Sequence, residues 1–225
     1  MSENHHVVIV SGGRLGKMDF FSETVAKIAD RLLIVCDGGA RHLARSGLMP
    51  DVLLGDMDSI NPEQLAKYEK AGVRVIRYPV NKDYTDTALA LDYALSLKPR
   101  SIDIWGTQGG RIDHTLANLF LLIKAREAGI ETRLMDEYME AFVPAGDVLF
   151  TGASGCLVSL IALSPRVEGI TLDGFLYPLC NGTLTMSESR GVSNIIAGDR
   201  AGIRVRSGNL LVIRYRQKDV FPEVT

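Results

Sequence analysis

The amino-acid sequence predicts an α/β domain followed by an all-β domain. Over about the first 135 residues, short apolar runs alternate with amphipathic segments of helical period. Beyond about residue 140 the helical period stops, and the chain becomes β-rich and punctuated by glycine. We therefore expect residues 1–140 to form a doubly wound, mostly parallel sheet with helices on both faces, and residues 141–225 to form a small β-sandwich.

The predicted strands of the first domain are short and almost continuously apolar, as in a parallel sheet that is covered on both faces. They are VVIV (7–10), LLIVC (32–36), DVLLG (51–55), VRVIRY (73–78), SIDIW (101–105) and TRLM (132–135). Helical patterns lie between them, at about 20–30, 39–47, 62–71, 84–97 and 113–129. Ligands of such sheets bind beyond the carboxyl ends of the strands, so we expect a site in the loops that follow these strands.

The predicted strands of the second domain lie in three glycine-punctuated segments. These segments are DVLFTGASGCLVSLIAL (147–163), EGITLDGFLYPL (168–179) and AGIRVRSGNLLVIRYR (201–216). Within the last of them, RSGN (206–209) has the composition of a hairpin turn between two alternating strands.

The composition excludes several function classes. With 225 residues and a net charge of −2, the chain lacks the bulk positive charge that would recruit nucleic acid or an anionic membrane. No apolar run reaches the roughly 18 residues of a membrane span, and the start MSENHHVVIV lacks the basic region of a secretory signal. Cys36, Cys156 and Cys180 form no metal or disulfide pattern, and we interpret them as reduced thiols in the core. We expect a cytoplasmic protein.

Aspartates follow several of the predicted strands. They are Asp37, Asp56, Asp58, Asp83, Asp86 and Asp113. Because the carboxyl ends of parallel strands share one edge of the sheet, these carboxylates would repel each other unless a cation lay among them. For Asp37, Asp83, Asp86 and Asp113 the alternative is a role at the start of a helix, where a carboxylate also suits the helix dipole.

Asp56 and Asp58 are the stronger metal candidates. The helix after them has its own start signal in NPEQ (61–64), where Asn61 can cap the helix and Pro62 fits its first position. In an extended stretch, residues i and i+2 point the same way, so the two carboxylates would converge on one point. Oxygen ligands of this kind suit Mg²⁺.

Groups that can bind phosphate follow the first and fifth strands. SGGRLG (11–16) is weak evidence alone, whereas TQGGRIDH (107–114) offers a glycine pair, the guanidinium of Arg111 and the start of a helix. Lys82 adds a point charge. Together with the aspartates, these groups predict a Mg²⁺-dependent enzyme that acts on a nucleotide phosphate chain, but they do not name the acceptor.

Four segments in this order resemble the thiamine pyrophosphokinase family. They are CDGGARHLARSGLMPDVLLGDMDSI (36–60), YPVNKDYTDTALALDYAL (78–95), WGTQGGRIDHTLANLFLL (105–122) and GTLTMSESRGVSN (182–194). The resemblance implies that ATP and thiamine react to give thiamine diphosphate and AMP, with Mg²⁺ as cofactor and ATP as co-substrate. It also implies a homodimer, because the thiamine site of the family lies between protomers.

The resemblance further implies a set of site residues. The catalytic candidates are Asp56, Asp58, Asp83, Asp86 and Asp113, of which the first four also hold Mg²⁺. ATP and its phosphates contact Asp37, Gly38, Lys82, Thr85, Gln108 and Arg111. Thiamine contacts Ser193, Asn194 and Tyr177.

Several alternatives stay open at this stage. Tyr177 stands where some relatives have a tryptophan, and it is equally compatible with a place in the β core. Trp105 is interpreted as packing against the sheet, and ligand stacking is its alternative. The alternative functions are another Mg²⁺-dependent nucleotidyltransferase or phosphohydrolase, and a non-catalytic thiamine- or nucleotide-sensing module.

Overall fold

The computed structural model describes residues 5–81 and 83–216, and the chain divides into two compact units, Met1–Glu137 and Tyr138–Thr225. The division falls close to the predicted domain boundary at residue 140. Each unit has its own apolar core.

The first unit alternates strands and helices. Its strands are β1 (His6–Val10), β2 (Arg31–Cys36), β3 (Val52–Gly55), β4 (Arg74–Arg77), β5 (Ser101–Trp105) and β6 (Glu131–Met135). Its helices are α1 (Met18–Ala26), α2 (Ala40–Ser46), α3 (Pro62–Lys70), α4 (Asp86–Ser96) and α5 (Ile112–Glu127), and a short 3₁₀ turn covers Asp37–Gly39.

The six strands of the first unit form one parallel sheet in the order β6-β5-β1-β2-β3-β4, which confirms the predicted α/β class. The chain runs outward from β1 to β4 and then returns to the other side of β1 to form β5. The loops after β1 and β5 therefore part at a topological switch point, which is where sheets of this kind bind ligands.

Aromatic packing anchors the sheet beside this switch point. Trp105 at the end of β5 is 1% exposed, and its ring lies 6.0 Å from that of Phe20 and 5.2 Å from that of Phe21. The tryptophan is thus a core residue, as its position at a strand end predicts.

The starts of α3 and α4 show which side chains cap these two helices. The side chain of Asn61 accepts a hydrogen bond from the amide of Glu63 at 2.8 Å, so α3 carries its own cap, as predicted. At α4 the side chain of Thr85 accepts from the amide of Ala88 at 3.2 Å. The cap of α4 is therefore the threonine and neither Asp83 nor Asp86.

The second unit is a β-sandwich, as predicted. Its strands are β7 (Met139–Phe142), β8 (Val148–Thr151), β9 (Leu157–Ala162), β10 (Arg166–Asp173), β11 (Leu179–Thr185), β12 (Asn194–Ile195), β13 (Arg200–Arg204) and β14 (Leu210–Tyr215). They pair antiparallel in two groups, β12-β9-β14-β7 and β11-β10-β13-β8, and apolar side chains from both groups share one core.

Two predictions about this unit are wrong. RSGN does not close a hairpin, because β13 pairs with β10 and β8 whereas β14 pairs with β7 and β9, so the segment crosses from one sheet to the other. Alternation shows that each strand has one buried face but not which sheet it joins. Cys180 is exposed on β11, whereas Cys36 is buried and Cys156 is half-buried.

Within the residues that the structure describes, no helix combines the length and apolar character needed to cross a bilayer.

Candidate functional site

A cavity of about 910 Å³ opens in the first unit, lined by the loops that follow β1, β2 and β5. Glycines allow two of these loops to touch. The amide of Gly13 donates to the carbonyl of Gly106 at 2.8 Å, and a Cβ at position 13 would collide with the carbonyl oxygens of Gly106 and Gln108. Gly13 of SGGRLG therefore permits close packing of the two backbones at the switch point.

Asp37 lies in the wall of this cavity, directly after β2. Its side chain is 3% exposed, and its two oxygens accept from the amides of Gly38 at 2.5 Å and Met57 at 3.1 Å. Gly55 makes room for it, because a Cβ there would lie 2.8 Å from the carboxyl carbon of Asp37. The loop after β3 is thus folded against the loop after β2 through this one carboxylate.

Asp56 and Asp58 converge by a turn. Met57 between them has φ of 68°, a left-handed conformation that costs a bulky residue about 1 kcal/mol or more. The amide of Asp58 donates to the carboxylate of Asp56 at 3.2 Å, and the Ser59 hydroxyl donates to the carboxylate of Asp58 at 2.8 Å. The extended geometry expected for this stretch is wrong, but the two side chains still face one place.

The carboxylates of Asp37, Asp56 and Asp58 form the aspartate cluster, with one oxygen of each lying within 4.8 Å of the others. Burial raises the pKa of Asp37 to about 6, and the negative charges of Asp86 and Asp56 add to the effect. Ionised carboxylates this close together repel one another, and a bound cation would offset that repulsion. The donor set, all oxygen and mostly charged, fits Mg²⁺.

The remaining acidic candidates are arranged differently. Asp86 begins α4 and lines the cavity, close enough to Asp37 to affect its pKa. Thr85 lines the cavity as well, whereas Asp83 is exposed and lies outside the lining. Lys82 lies outside the described residues. The acidic residues in the lining of the cavity are thus Asp37, after β2, and Asp86, after β4, while Asp56 and Asp58 lie beside Asp37.

Asp113 lies in the first turn of α5, next to Arg111. It forms an ion pair with Arg111, and the hydrogen bond from that guanidinium lowers the pKa of Asp113 to about 2. Arg111 lines the cavity, and its neighbour Gln108 does so while donating to Asp136 at 3.1 Å. In this structure Asp113 contacts Arg111 and is not part of the aspartate cluster.

Sequence reasoning missed a basic row on α2, where Arg41, His42 and Arg45 all line the cavity. Arg41 donates to the carbonyl of Gly12, and Nε2 of His42 lies 2.8 Å from the carbonyl oxygen of Gly13. Burial lowers the pKa of His42 below its usual value. The signal was present in RHLAR, because residues at i and i+4 of a helix share a face.

The thiamine candidates all belong to the second unit. Ser193 is exposed, with φ of 64°, and its amide donates to the Ser159 hydroxyl at 3.1 Å. Tyr177 is 63% exposed, so the alternative of a buried core aromatic is wrong. Asn194 is only 7% exposed. The three residues are near one another because the side chain of Asn194 bonds to the backbone of Tyr177.

Comparison with known proteins matches both units to one family. A model described as thiamin pyrophosphokinase, catalytic domain, matches residues 23–134, and one described as thiamin pyrophosphokinase, vitamin B1 binding domain, matches residues 150–212. A thiamine pyrophosphokinase of Bacillus subtilis is 35% identical over 185 residues, which cover 81% of this chain and 86% of the relative. Thiamine pyrophosphokinase 1 of Oryza sativa is 30% identical over 207 residues, covering 81% and 77%.

Solved structures agree with this match. The crystal structure of the Bacillus subtilis thiamine pyrophosphokinase superposes with a TM-score of 0.83 at 32% identity, covering 94% of this chain and 99% of that one. A thiamin pyrophosphokinase from Candida albicans, at 18% identity, shares the fold with a TM-score of 0.81 and covers 96% and 90% of the two chains.

Proposed function

The chain belongs to the thiamine pyrophosphokinase family and is an enzyme, and we propose that its reaction takes place at the aspartate cluster of the first unit. In this reaction the diphosphate of ATP passes to the hydroxyl of thiamine. The observation that carries the proposal is the convergence of three carboxylates within 4.8 Å beside a cavity of about 910 Å³. Family membership favours this activity over the other nucleotide enzymes and over a sensing module.

Asp37, Asp56 and Asp58 would hold Mg²⁺, and Asp86 adds negative charge beside them. The fit rests on the geometry of the donor set, because three carboxylates with oxygens within 4.8 Å of one another repel each other when ionised, and a bound cation would offset that repulsion. Bound Mg²⁺ would offset the negative charge of the polyphosphate during transfer.

The basic groups of the cavity bind the phosphate chain. Arg41 and Arg45 lie on α2, and Arg111 lies at the start of α5 with its guanidinium tethered by Asp113. A tethered arginine loses less conformational entropy when it binds a phosphate, which favours a fixed position of the chain. The nucleotide side also includes the amides of the glycine-rich loops, together with Gly38, Thr85 and Gln108. We add Lys82 to this set because it lies three residues before Thr85 in the sequence.

The transfer itself requires alignment more than covalent help. The oxygen of the thiamine hydroxyl forms a bond to the β-phosphorus of ATP. The bond from that phosphorus to the oxygen bridging to the α-phosphorus breaks, and AMP leaves with the electron pair on this oxygen. One of the cavity carboxylates accepts the hydroxyl proton as the new bond forms.

The second unit supplies the thiamine side, with Ser193 at the surface and the Tyr177 ring exposed beside it. An exposed aromatic face suits a cationic thiazolium. We include in the proposal that the enzyme is a cytoplasmic homodimer, in which the thiamine site is completed between protomers.

The test is product analysis with purified protein, ATP, thiamine and Mg²⁺. We expect AMP and thiamine diphosphate in equal amounts and no reaction in excess chelator. Formation of ADP with thiamine monophosphate, or nucleotide hydrolysis that is indifferent to thiamine, would contradict the proposal. Light scattering tests the dimer separately.

A further inference from the structure

The side chain of Asn194 is committed to the backbone of Tyr177. We propose that Asn194 is a positioning residue that fixes the Tyr177 ring for thiamine and does not itself contact thiamine. The inference rests on the proposed function, since it assigns a role within the thiamine side of that site. It concerns only the second unit, where all of its contacts lie.

Three hydrogen bonds occupy the Asn194 amide. Its Oδ1 accepts from the amide of Tyr177 at 3.1 Å and from the amide of Ile195 at 2.8 Å. Its Nδ2 donates to the carbonyl of Tyr177 at 2.8 Å. The orientation of the side-chain amide is therefore set by its partners, because two N–H donors require an oxygen and the carbonyl requires an N–H.

Little capacity is left for a ligand. A side-chain amide offers two acceptor sites and two N–H groups, and Asn194 uses both of the former and one of the latter. The residue is also only 7% exposed. Any direct contact with thiamine would rest on one remaining N–H of a buried group, or would require release of Tyr177.

The backbone around Tyr177 is held on both sides, in the segment 174–178 that we call the Tyr177 loop. The amide of Leu176 donates to the carbonyl of Ile195, and the amide of Ala197 donates to the carbonyl of Gly174, both at 2.8 Å. Phe175 is buried against the ring of Phe150, with centroids 6.4 Å apart.

The residue after Tyr177 restrains it further. Pro178 biases the backbone of the preceding residue toward extended conformations. A backbone fixed in this way leaves the tyrosine ring outside, 63% exposed but attached to a rigid base. Such a ring binds a flat cationic ligand with little further loss of conformational entropy.

Asn194→Asp tests the role, because it keeps Oδ1 and replaces the N–H donor to the Tyr177 carbonyl with a second oxygen. We expect the KM for thiamine to rise about tenfold, with kcat and the KM for ATP nearly unchanged. A purely structural lesion would lower kcat and affect both substrates. Asn181→Asp is the matched control. Asn181 is an exposed residue of the same unit, and its φ of 48° is a conformation that aspartate adopts as asparagine does.

A double-mutant cycle with Tyr177→Ala separates positioning from direct contact. If Asn194 acts through the ring, Asn194→Asp adds less than twofold to the thiamine KM once the ring is gone. If the two effects multiply, Asn194 binds thiamine itself and the inference is wrong. An unchanged thiamine KM in Asn194→Asp alone overturns it as well.

A crystal structure of the wild-type protein with thiamine requires no variant, and it decides the matter should Asn194→Asp fail to fold. We expect all three Asn194 bonds to persist with the ring against thiamine. A released Tyr177 loop with Asn194 on the pyrimidine overturns the inference. Wild-type enzyme that forms no thiamine diphosphate would instead count against the proposed function, so the two failures are distinguishable.

Discussion

The first unit concentrates charge at its candidate site, whereas the second unit presents neutral groups at its own. In the aspartate cluster, three carboxylates approach within 4.8 Å and the pKa of Asp37 rises to about 6. In the second unit, Asn194 makes three hydrogen bonds and the exposed ring of Tyr177 stands on a fixed backbone. In the first site the carboxylates repel one another. In the second site the side chain of Asn194 is already hydrogen-bonded.

The difference teaches how the two halves of one reaction are prepared. Phosphoryl transfer requires a place where bound metal compensates negative charge, and in the proposed function the aspartate cluster provides that place. Recognition of a neutral or cationic ring system requires shape and rigidity, which hydrogen bonds to the backbone supply. Changes in the first unit should therefore alter kcat and metal dependence, and changes in the second unit should alter the thiamine KM.

The largest effect is expected for Asp58→Asn. Removing one carboxylate from the cluster should lower kcat by about 10² to 10³, because charge compensation in the transition state is lost. The same change relieves repulsion, so the metal-free protein should unfold at an unchanged or higher temperature.

Steady-state kinetics and calorimetry check both parts, with Asp19→Asn at an exposed position of α1 as control. Near-normal kcat, or a clear loss of thermal stability, would indicate that Asp58 serves the turn and not the metal. Asp56→Asn should follow Asp58→Asn in both respects.

The response of stability to pH and Mg²⁺ comes next in size. The folded-state pKa of Asp37 is about 6 against a usual 3.8, so this group contributes stability below pH 3.8 that is lost as the pH rises to 6. Above pH 6 the ionised group is free to bind a cation. Mg²⁺ should therefore raise the unfolding temperature by several degrees at pH 8 and by much less at pH 5.

Differential scanning fluorimetry at the two pH values measures this response, and Ca²⁺ serves as a comparison cation. A rise in unfolding temperature of equal size at both pH values would show that Asp37 does not bind the metal. Such a result would weaken the contrast between the charged site of the first unit and the hydrogen-bonded site of the second.

A moderate effect on one substrate is expected for Ser193→Ala. Loss of an exposed hydroxyl beside Tyr177 should raise the thiamine KM roughly fivefold and leave the ATP KM unchanged. Ser189→Ala, in the same segment, is the control. If the ATP KM rises instead, the functional division between the two units does not hold.

The smallest effect is expected for Arg45→Gln, which removes one exposed charge from the α2 row that lines the cavity. Solvent screens such a charge, so the ATP KM should rise only about two- to threefold and less at high salt. Arg100→Gln, at an exposed position outside the cavity, is the control. An effect confined to thiamine would remove Arg45 from the nucleotide side.

Much of the first unit could be predicted because its signals are local. The 3.6-residue and near-continuous apolar periods identified the alternating elements, and NPEQ identified a capped helix start that released Asp56 and Asp58 from that duty. The basic row of α2 was equally visible in the sequence, but its direction toward the cavity was not. A helix face is directed only by what the helix packs against.

Predictions about partners across long sequence separations were weaker. Cys180 and RSGN were placed by pattern, and both were wrong because alternation does not specify which strand or sheet is the neighbour. Asp113 was grouped with the other carboxylates, yet in the fold it contacts Arg111 two residues away.

The sequence by itself determined the order of elements, the α/β then all-β architecture, the family and the set of candidate residues, because each depends on short-range patterns and motifs. Only the tertiary structure decided which carboxylates meet. Asp37 joins Asp56 and Asp58 because the parallel pairing of β2 and β3 brings their loops together, and the left-handed turn at Met57 brings both carboxylates near Asp37. The same holds for Asn194, whose side chain forms hydrogen bonds with the backbone of Tyr177, 17 positions away in the sequence.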